Sequence, residues 1–189
     1  IQIFSDKFDY NFKVYKTNTL QKVDMVEISE IMNQYLDKSI FLIPLNIISE
    51  NIHNIKWIKD INLKNNLKNT ISIEIIEYKP IGLYAFNNQL YYFSDEGKII
   101  DQLKKEFNEN FIIFYGNQSL KKASKFLNSM KKIDLLKIKE AYLINNRRWN
   151  INLNNGLLLY MPEKNIELLD ARKMIKTNNS FNEATPIPS

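Results

Sequence analysis

Residues Phe12 to Tyr15 alternate apolar and polar side chains, which predicts a short first β-strand. Asp24 then has the character of a helix N-cap, with Glu27 three residues on as the carboxylate form of a capping box. Ile28, Ile31, Met32 and Tyr35 follow at helical spacing and give one apolar stripe. Pro44 interrupts, and Asn46 is placed to cap a second helix whose Ile48, Ile52 and Ile55 share a face. Two alternating stretches come next, one carrying Ile61 and Leu63, the other Ile71, Ile73 and Ile75. The polar link Asn65 to Asn69 between them has the length and composition of a hairpin. The order strand, helix, helix, strand, strand predicts an α+β unit with two helices against one face of a three-stranded sheet.

Pro80 marks a boundary, after which strands predominate. Ile81 to Phe86 and Leu90 to Phe93 flank the turn Asn87-Asn88, and Asp95-Glu96-Gly97 makes a further turn before Ile99-Ile100. Residues Gln118 to Met130 read as a helix with Ala123, Phe126, Leu127 and Met130 on one face. Strands are expected again at Ile138 to Ile144, Trp149 to Leu153 and Leu157 to Met161. The last two flank Asn154-Asn155-Gly156, residues that tolerate positive φ. A final helix, roughly Asn165 to Ile175, groups Leu168, Ala171 and Ile175. The tail from Lys176 to Ser189 is polar and aperiodic and reads as disordered. No internal repeat is visible.

Composition narrows the chemistry. With 44% hydrophobic and 25% charged residues, 189 residues are enough for one large or two small folded domains. The net charge of +5 is spread over short basic pairs among acids, a mixed solvated surface rather than a nucleic-acid footprint. No cysteine is present, so neither disulfides nor thiolate chemistry are available. No apolar run approaches the length of about 20 residues that a membrane helix needs. The four glycines are too far apart for a phosphate loop, and the lone His53 cannot anchor zinc without other His or Cys. Carboxylate pairs (Asp95 with Glu96, Glu74 with Glu77) lack any sign of a cleft that would raise one pKa. The expectation is a protein that is not an enzyme and uses no cofactor, metal or small-molecule substrate. Tyr91-Tyr92-Phe93 reads as a half-buried strand, and Trp57 and Trp149 as large aromatics closing a core edge. Arg147 and Arg148 beside Trp149 have a second reading, since two guanidiniums at a strand end can form bidentate pairs with partner carboxylates.

Four strings, in order, resemble the FtsQ/DivIB family of bacterial division proteins. Ile55-Lys56-Trp57-Ile58-Lys59-Asp60-Ile61 is similar to the family's passage from a Trp into the second strand of its POTRA domain. Ile71 to Gly82 resembles the third strand and the Glu-x-x-Pro exit, here Glu77 to Pro80. Asp95-Glu96-Gly97-Lys98-Ile99 resembles the Asp-x-x-Gly turn that follows. Arg147-Arg148-Trp149 with Leu153-Asn154-Asn155-Gly156 is similar to the Arg-Arg-Trp strand and Asn-Gly hairpin of the β domain. The resemblance covers about Phe12 to Ile175. It implies an N-terminal linker over residues 1–11, a POTRA-like β-α-α-β-β domain over 12–79, and a mixed, mainly antiparallel β domain with flanking helices over 80–175. The disordered tail would be 176–189.

The resemblance also implies a divisome scaffold held in the inner membrane by a single transmembrane helix outside this sequence. Both domains would lie in the periplasm at the division septum. The β domain would bind FtsB, itself paired with FtsL, partly by adding a strand to a sheet edge. Arg147, Arg148 and Trp149 match the family's Arg-Arg-Trp motif as partner contacts, with Leu168, Leu169 and Arg172 of the last helix as further ones. The POTRA helices would face upstream partners or the membrane side. The family usually adds one more strand after the last helix as its main FtsB contact, and Lys176 to Ser189 holds no alternating apolar run to supply it. The competing reading is a POTRA-type chaperone-like module of an outer-membrane assembly or secretion system.

Overall fold

Ile71, Ile73 and Ile75, one residue in two, are all buried along β3 (Thr70–Glu77), while Ser72, Glu74 and Ile76 between them are exposed. That single-sided burial sets the layout of the first half of the chain. The computed structural model describes residues 10–104, 111–130 and 137–161, and the chain divides into two compact units between Tyr78 and Lys79.

In the first unit β3 is central. β1 (Val14–Thr17) runs parallel to it on one side and β2 (Ile58–Asn65) antiparallel on the other. Helices α1 (Met25–Asn33) and α2 (Leu45–His53) bury Ile28, Met32, Ile48 and Ile52 in the same cluster as the β3 isoleucines. Asp24 caps α1 as its sequence predicts, its Oδ1 accepting from the Val26 N–H at 2.9 Å. Two expectations shift. Phe12 is not in the first strand. Its N–H donates to the Lys38 carbonyl and its own carbonyl accepts from Asp37, so it pairs with the loop after α1 and its ring enters the core. β1 therefore starts at Val14. Nor does Asn46 cap α2; the helix starts at Leu45, and the Pro44 carbonyl accepts from the Ile48 N–H to close the first turn. Proline has no N–H to leave unsatisfied at that entry.

Side chains finish what the backbone ladder leaves open. Beyond β1, the Asn18 amide accepts from the Ile75 N–H and donates to its carbonyl, extending the pairing with β3 by one side chain. At the hairpin between β2 and β3, Asn66 Oδ1 accepts from the N–H groups of Lys68, Asn69 and Thr70.

The second unit is a seven-stranded mixed sheet with the order β10-β9-β8-β7-β4-β5-β6. β4 (Pro80–Phe86), β5 (Gln89–Ser94) and β6 (Ile99–Gln102) form one antiparallel meander, and β8 (Ile138–Ile144), β9 (Arg148–Leu153) and β10 (Leu158–Tyr160) another. The short β7 (Ile113–Tyr115) joins them, parallel to both β4 and β8. Helix α3 (Ser119–Ser129) lies between β7 and β8 in sequence, the length of connection a parallel step requires. It buries Ala123 and Phe126 in the same cluster as Phe93, Phe114, Trp149 and Ile151. Asn87 and Asn88 both take positive φ in the β4–β5 turn, the backbone of a tight hairpin. The architecture is α+β, a β-α-α-β-β unit followed by a mixed β domain. The expected last helix, 165–175, and the tail, 176–189, lie outside the described residues.

Candidate functional site

Trp149 fixes where the Arg147-Arg148 pair stands. Its ring is 4% exposed and packs on Phe126 at 4.6 Å between centroids and edge-on to Phe114 at 5.7 Å. The side chain of Trp149 is thus committed to the core rather than presented to a partner. Strand alternation then turns Arg148, its neighbour in β9, to the opposite face of the sheet, and both Arg147 and Arg148 are exposed. Arg147 belongs to the β8–β9 turn, where its N–H donates to the Ile144 carbonyl at 3.0 Å and Asn145 and Asn146 take positive φ. From α3, the Lys122 ammonium donates to the Asn146 carbonyl. Lys122 thus reaches the same turn that carries Arg147, and Arg148 begins the strand after it. Among the described residues no carboxylate forms an ion pair with either guanidinium.

The face that Arg148 shares is built in rows. Registers place Tyr115 beside Tyr142, Tyr142 beside Asn150, and Asn150 beside Tyr160. The next row is Ile113, Glu140, Asn152 and Leu158, and on the other side Ile144 pairs with Arg148. Tyr115 and Tyr142 stack at 4.5 Å with rings nearly parallel. Glu140 accepts from Tyr142 Oη and from Asn152 Nδ2, both at 2.9 Å. These bonds, that from Asn152 first, hold the Glu140 carboxyl below its ordinary pKa although partial burial works the other way. Burial, together with donation to the charged Glu140, pushes the Tyr142 hydroxyl up to about 12 and raises Tyr115 as well. The carboxylate works as a clamp across β8 and β9, its Oε2 accepting from both strands. Beside it, an open depression of about 480 Å³ is lined by Tyr142, Ile144, Asn150, Asn152, Gly156 and Leu158.

Sequence reasoning reached Arg147, Arg148 and Trp149 but not this row of tyrosine, glutamate and asparagine. Asn150 and Asn152 alternate along the chain with Trp149, Ile151 and Leu153, but their partners on β8 and β10 depend on register. Leu168, Leu169 and Arg172 lie outside the described residues. The Glu74–Glu77 pair separates: Glu77 turns to accept from the N–H groups of Gln21, Lys22 and Val23, which ties the end of β3 to the loop before α1. Burial alone would raise its pKa, yet these backbone donors bring it below the ordinary value. Among the described residues no group of three or more His, Cys, Asp and Glu could hold a metal ion, and no helix is long and apolar enough to cross a membrane.

Comparison with known proteins decides the family. Residues 83–182 match the C-terminal domain of cell division protein FtsQ/DivIB, and residues 12–78 match the POTRA domain of FtsQ type. The chain belongs to the FtsQ/DivIB family. Cell division protein FtsQ of Rickettsia bellii is 33% identical over 169 residues, covering 86% of this chain and 62% of that protein. FtsQ of Rickettsia prowazekii is 32% identical with the same coverage. The chain therefore spans less than two thirds of the length of these relatives. A solved structure, the major extracytoplasmic domain of the trans isomer of DivIB from Geobacillus stearothermophilus, aligns with a TM-score of 0.37 and 10% identity, covering 59% of this chain and 99% of that one. The family match on the second unit is to the FtsQ/DivIB C-terminal domain and not to a further POTRA repeat, which weighs against the module of an outer-membrane assembly or secretion system.

Proposed function

We propose that this protein is a non-catalytic scaffold of the divisome, which recruits an FtsB–FtsL-like pair and other division proteins to the septum. Arg147 and Arg148 are its partner contacts, and Trp149 acts beneath them by positioning the strand. Leu168, Leu169 and Arg172 extend the contact from the following segment. In this reading residues 1–11 link to a single transmembrane helix in the inner membrane, the domains over 12–79 and 80–175 stand in the periplasm, and 176–189 is a tail.

The observation that carries the proposal is the exposed Arg147–Arg148 pair at the start of β9, without a carboxylate partner among the described residues and next to a buried Trp149. Exposed guanidiniums on a rigid strand end match acidic partner side chains, and a planar fork on each Arg gives bidentate geometry. Calorimetric titration with the periplasmic segments of the organism's own FtsB–FtsL pair tests it. Saturable binding is expected, weakened by about 1–3 kcal/mol in an Arg147→Ala/Arg148→Ala variant that folds normally. Binding of undiminished affinity in that variant would remove the arginines from the site.

A further inference from the structure

Two buried side-chain oxygens among the described residues make no hydrogen bond, Ser119 Oγ and Asn150 Oδ1. Ser119 is fully enclosed at the start of α3, whereas Asn150 lines the open depression on the face opposite Trp149. The register neighbour Tyr142 gives no relief, because its hydroxyl donates to Glu140 instead. An orphaned acceptor costs a fold more than an apolar residue of the same shape would, so its place in the middle of β9 has a reason outside the fold. The last torsion of an asparagine is broad, and a half-turn of the amide brings the oxygen round to the depression.

The surroundings define what completes it. Alternation along β9 puts Arg148, Asn150 and Asn152 on one face, each about 7 Å from the next. Glu140 stands across from Asn152, and its hydrogen bonds favour the charged carboxylate. The face therefore runs from a guanidinium through the orphaned amide to a carboxylate. Tyr142 and Asn152 already spend hydrogens on Glu140, so the polar capacity left at that end is for an incoming donor. Ile144 and Leu158 give the depression apolar walls, against which the aliphatic stem of a lysine or arginine packs while its head reaches polar groups.

We propose that the depression receives a basic side chain of the docked partner, with Asn150 as the acceptor that selects it. The inference rests on the docking at Arg147 and Arg148 given above and adds a second requirement to it. The partner presents a carboxylate to Arg148 and a lysine or arginine about 7 Å away, a spacing met four residues apart on a helix or two apart on a strand.

Calorimetric titration with the FtsB–FtsL segments tests this, on Asn150→Leu and Asn150→Asp chains beside Arg147→Ala/Arg148→Ala. Leucine keeps the size and removes the acceptor; aspartate keeps the acceptor and removes the amide hydrogens. Asn150→Leu is expected to bind about ten-fold more weakly. Asn150→Asp should bind at least as tightly as the wild type and with a steeper salt dependence. The free Asn150→Leu chain should melt no lower than the wild type, since an orphaned oxygen has gone. Wild-type affinity in Asn150→Leu, or an equal loss in Asn150→Asp, would overturn the inference, and the scaffold reading survives if Arg147→Ala/Arg148→Ala still weakens binding. A lower melting temperature for free Asn150→Leu would also overturn it, by assigning Asn150 to the fold. No saturable binding by the wild type would overturn both.

Discussion

The first unit fills its core largely with isoleucine, from Ile28 and Ile52 on the helices to Ile71, Ile73 and Ile75 on the sheet, and Phe12 is the aromatic among the buried residues of that described cluster. The second unit builds its core on aromatic rings. Phe114 meets Phe93, Phe126 and Trp149, each nearly perpendicular and 5.4 to 6.0 Å away. Isoleucine packs well on a pleated sheet and tolerates repacking, since its apolar surface has no preferred direction. Edge-to-face rings do have one. The contrast places directional packing in the unit that carries the arginines, directly beneath them. The carboxylates follow the same division: Glu77 fastens a loop through backbone donors, and Glu140 clamps strands through side-chain donors.

Removing the ring that directs the second core is the strongest test of the contrast. Trp149→Ala is expected to cost about 3–5 kcal/mol and to unfold the second unit at lower denaturant while the first keeps its transition. Ile52→Val, in the first core, is expected to cost only about 0.5–1.5 kcal/mol. Equilibrium unfolding followed by near-ultraviolet dichroism reads both, and equal losses would mean that the two cores do not differ in this way.

Glu77→Ala comes next, at about 1.5–3 kcal/mol, because it leaves three backbone donors without their carboxylate. The pH dependence has a definite sign. With its pKa lowered in the fold, Glu77 contributes stability above the ordinary value of 4.5, and that contribution is lost as pH falls through the depressed folded value. The wild type should lose stability in acid more steeply than Glu77→Ala. Parallel curves would show that the carboxylate contributes none of the acid sensitivity.

Two glycines give a smaller and sharper comparison. Gly97 and Gly156 both have φ near +80°, but a Cβ on Gly97 would lie 2.9 Å from the Leu120 carbonyl in the first turn of α3, while one on Gly156 meets nothing within 4 Å. Gly156→Ala should cost about 1 kcal/mol from backbone conformation, and Gly97→Ala measurably more. The smallest effect is spectroscopic. Tyr142 should ionise near 12 in an absorbance titration, and any stability linked to its hydroxyl should be full below about pH 10 and decline above it. Glu140→Gln should lower that value.

Much of this fold is legible in the sequence because its local signals agree with its tertiary ones. The Asp24 cap, the Ile48 and Ile52 face of α2, the isoleucines of β3 and the Asn-Asn-Gly turn all act over a few residues and stand as the sequence predicts, whereas Ile55, expected on the same face of α2, falls past its end at His53. The rest needed distant partners. Phe12 reads as strand until the loop at Asp37 and Lys38 takes its hydrogen bonds. The parallel position of β7 depends on pairing with strands about 30 residues away on either side. At the candidate site, the exposed arginines were visible as a motif, whereas the Tyr115–Tyr142–Glu140–Asn152 row exists only once three strands are in register.

The central claim is that partners dock on the β8–β9–β10 end of the second unit, at Arg147 and Arg148. Amide hydrogen exchange of the chain, free and saturated with its FtsB–FtsL pair, tests this most directly. The account predicts new protection concentrated over residues 144–161, diminished at the same partner concentration in Arg147→Ala/Arg148→Ala, with the first unit unchanged. Protection confined to the first unit, or identical in the variant, would contradict it.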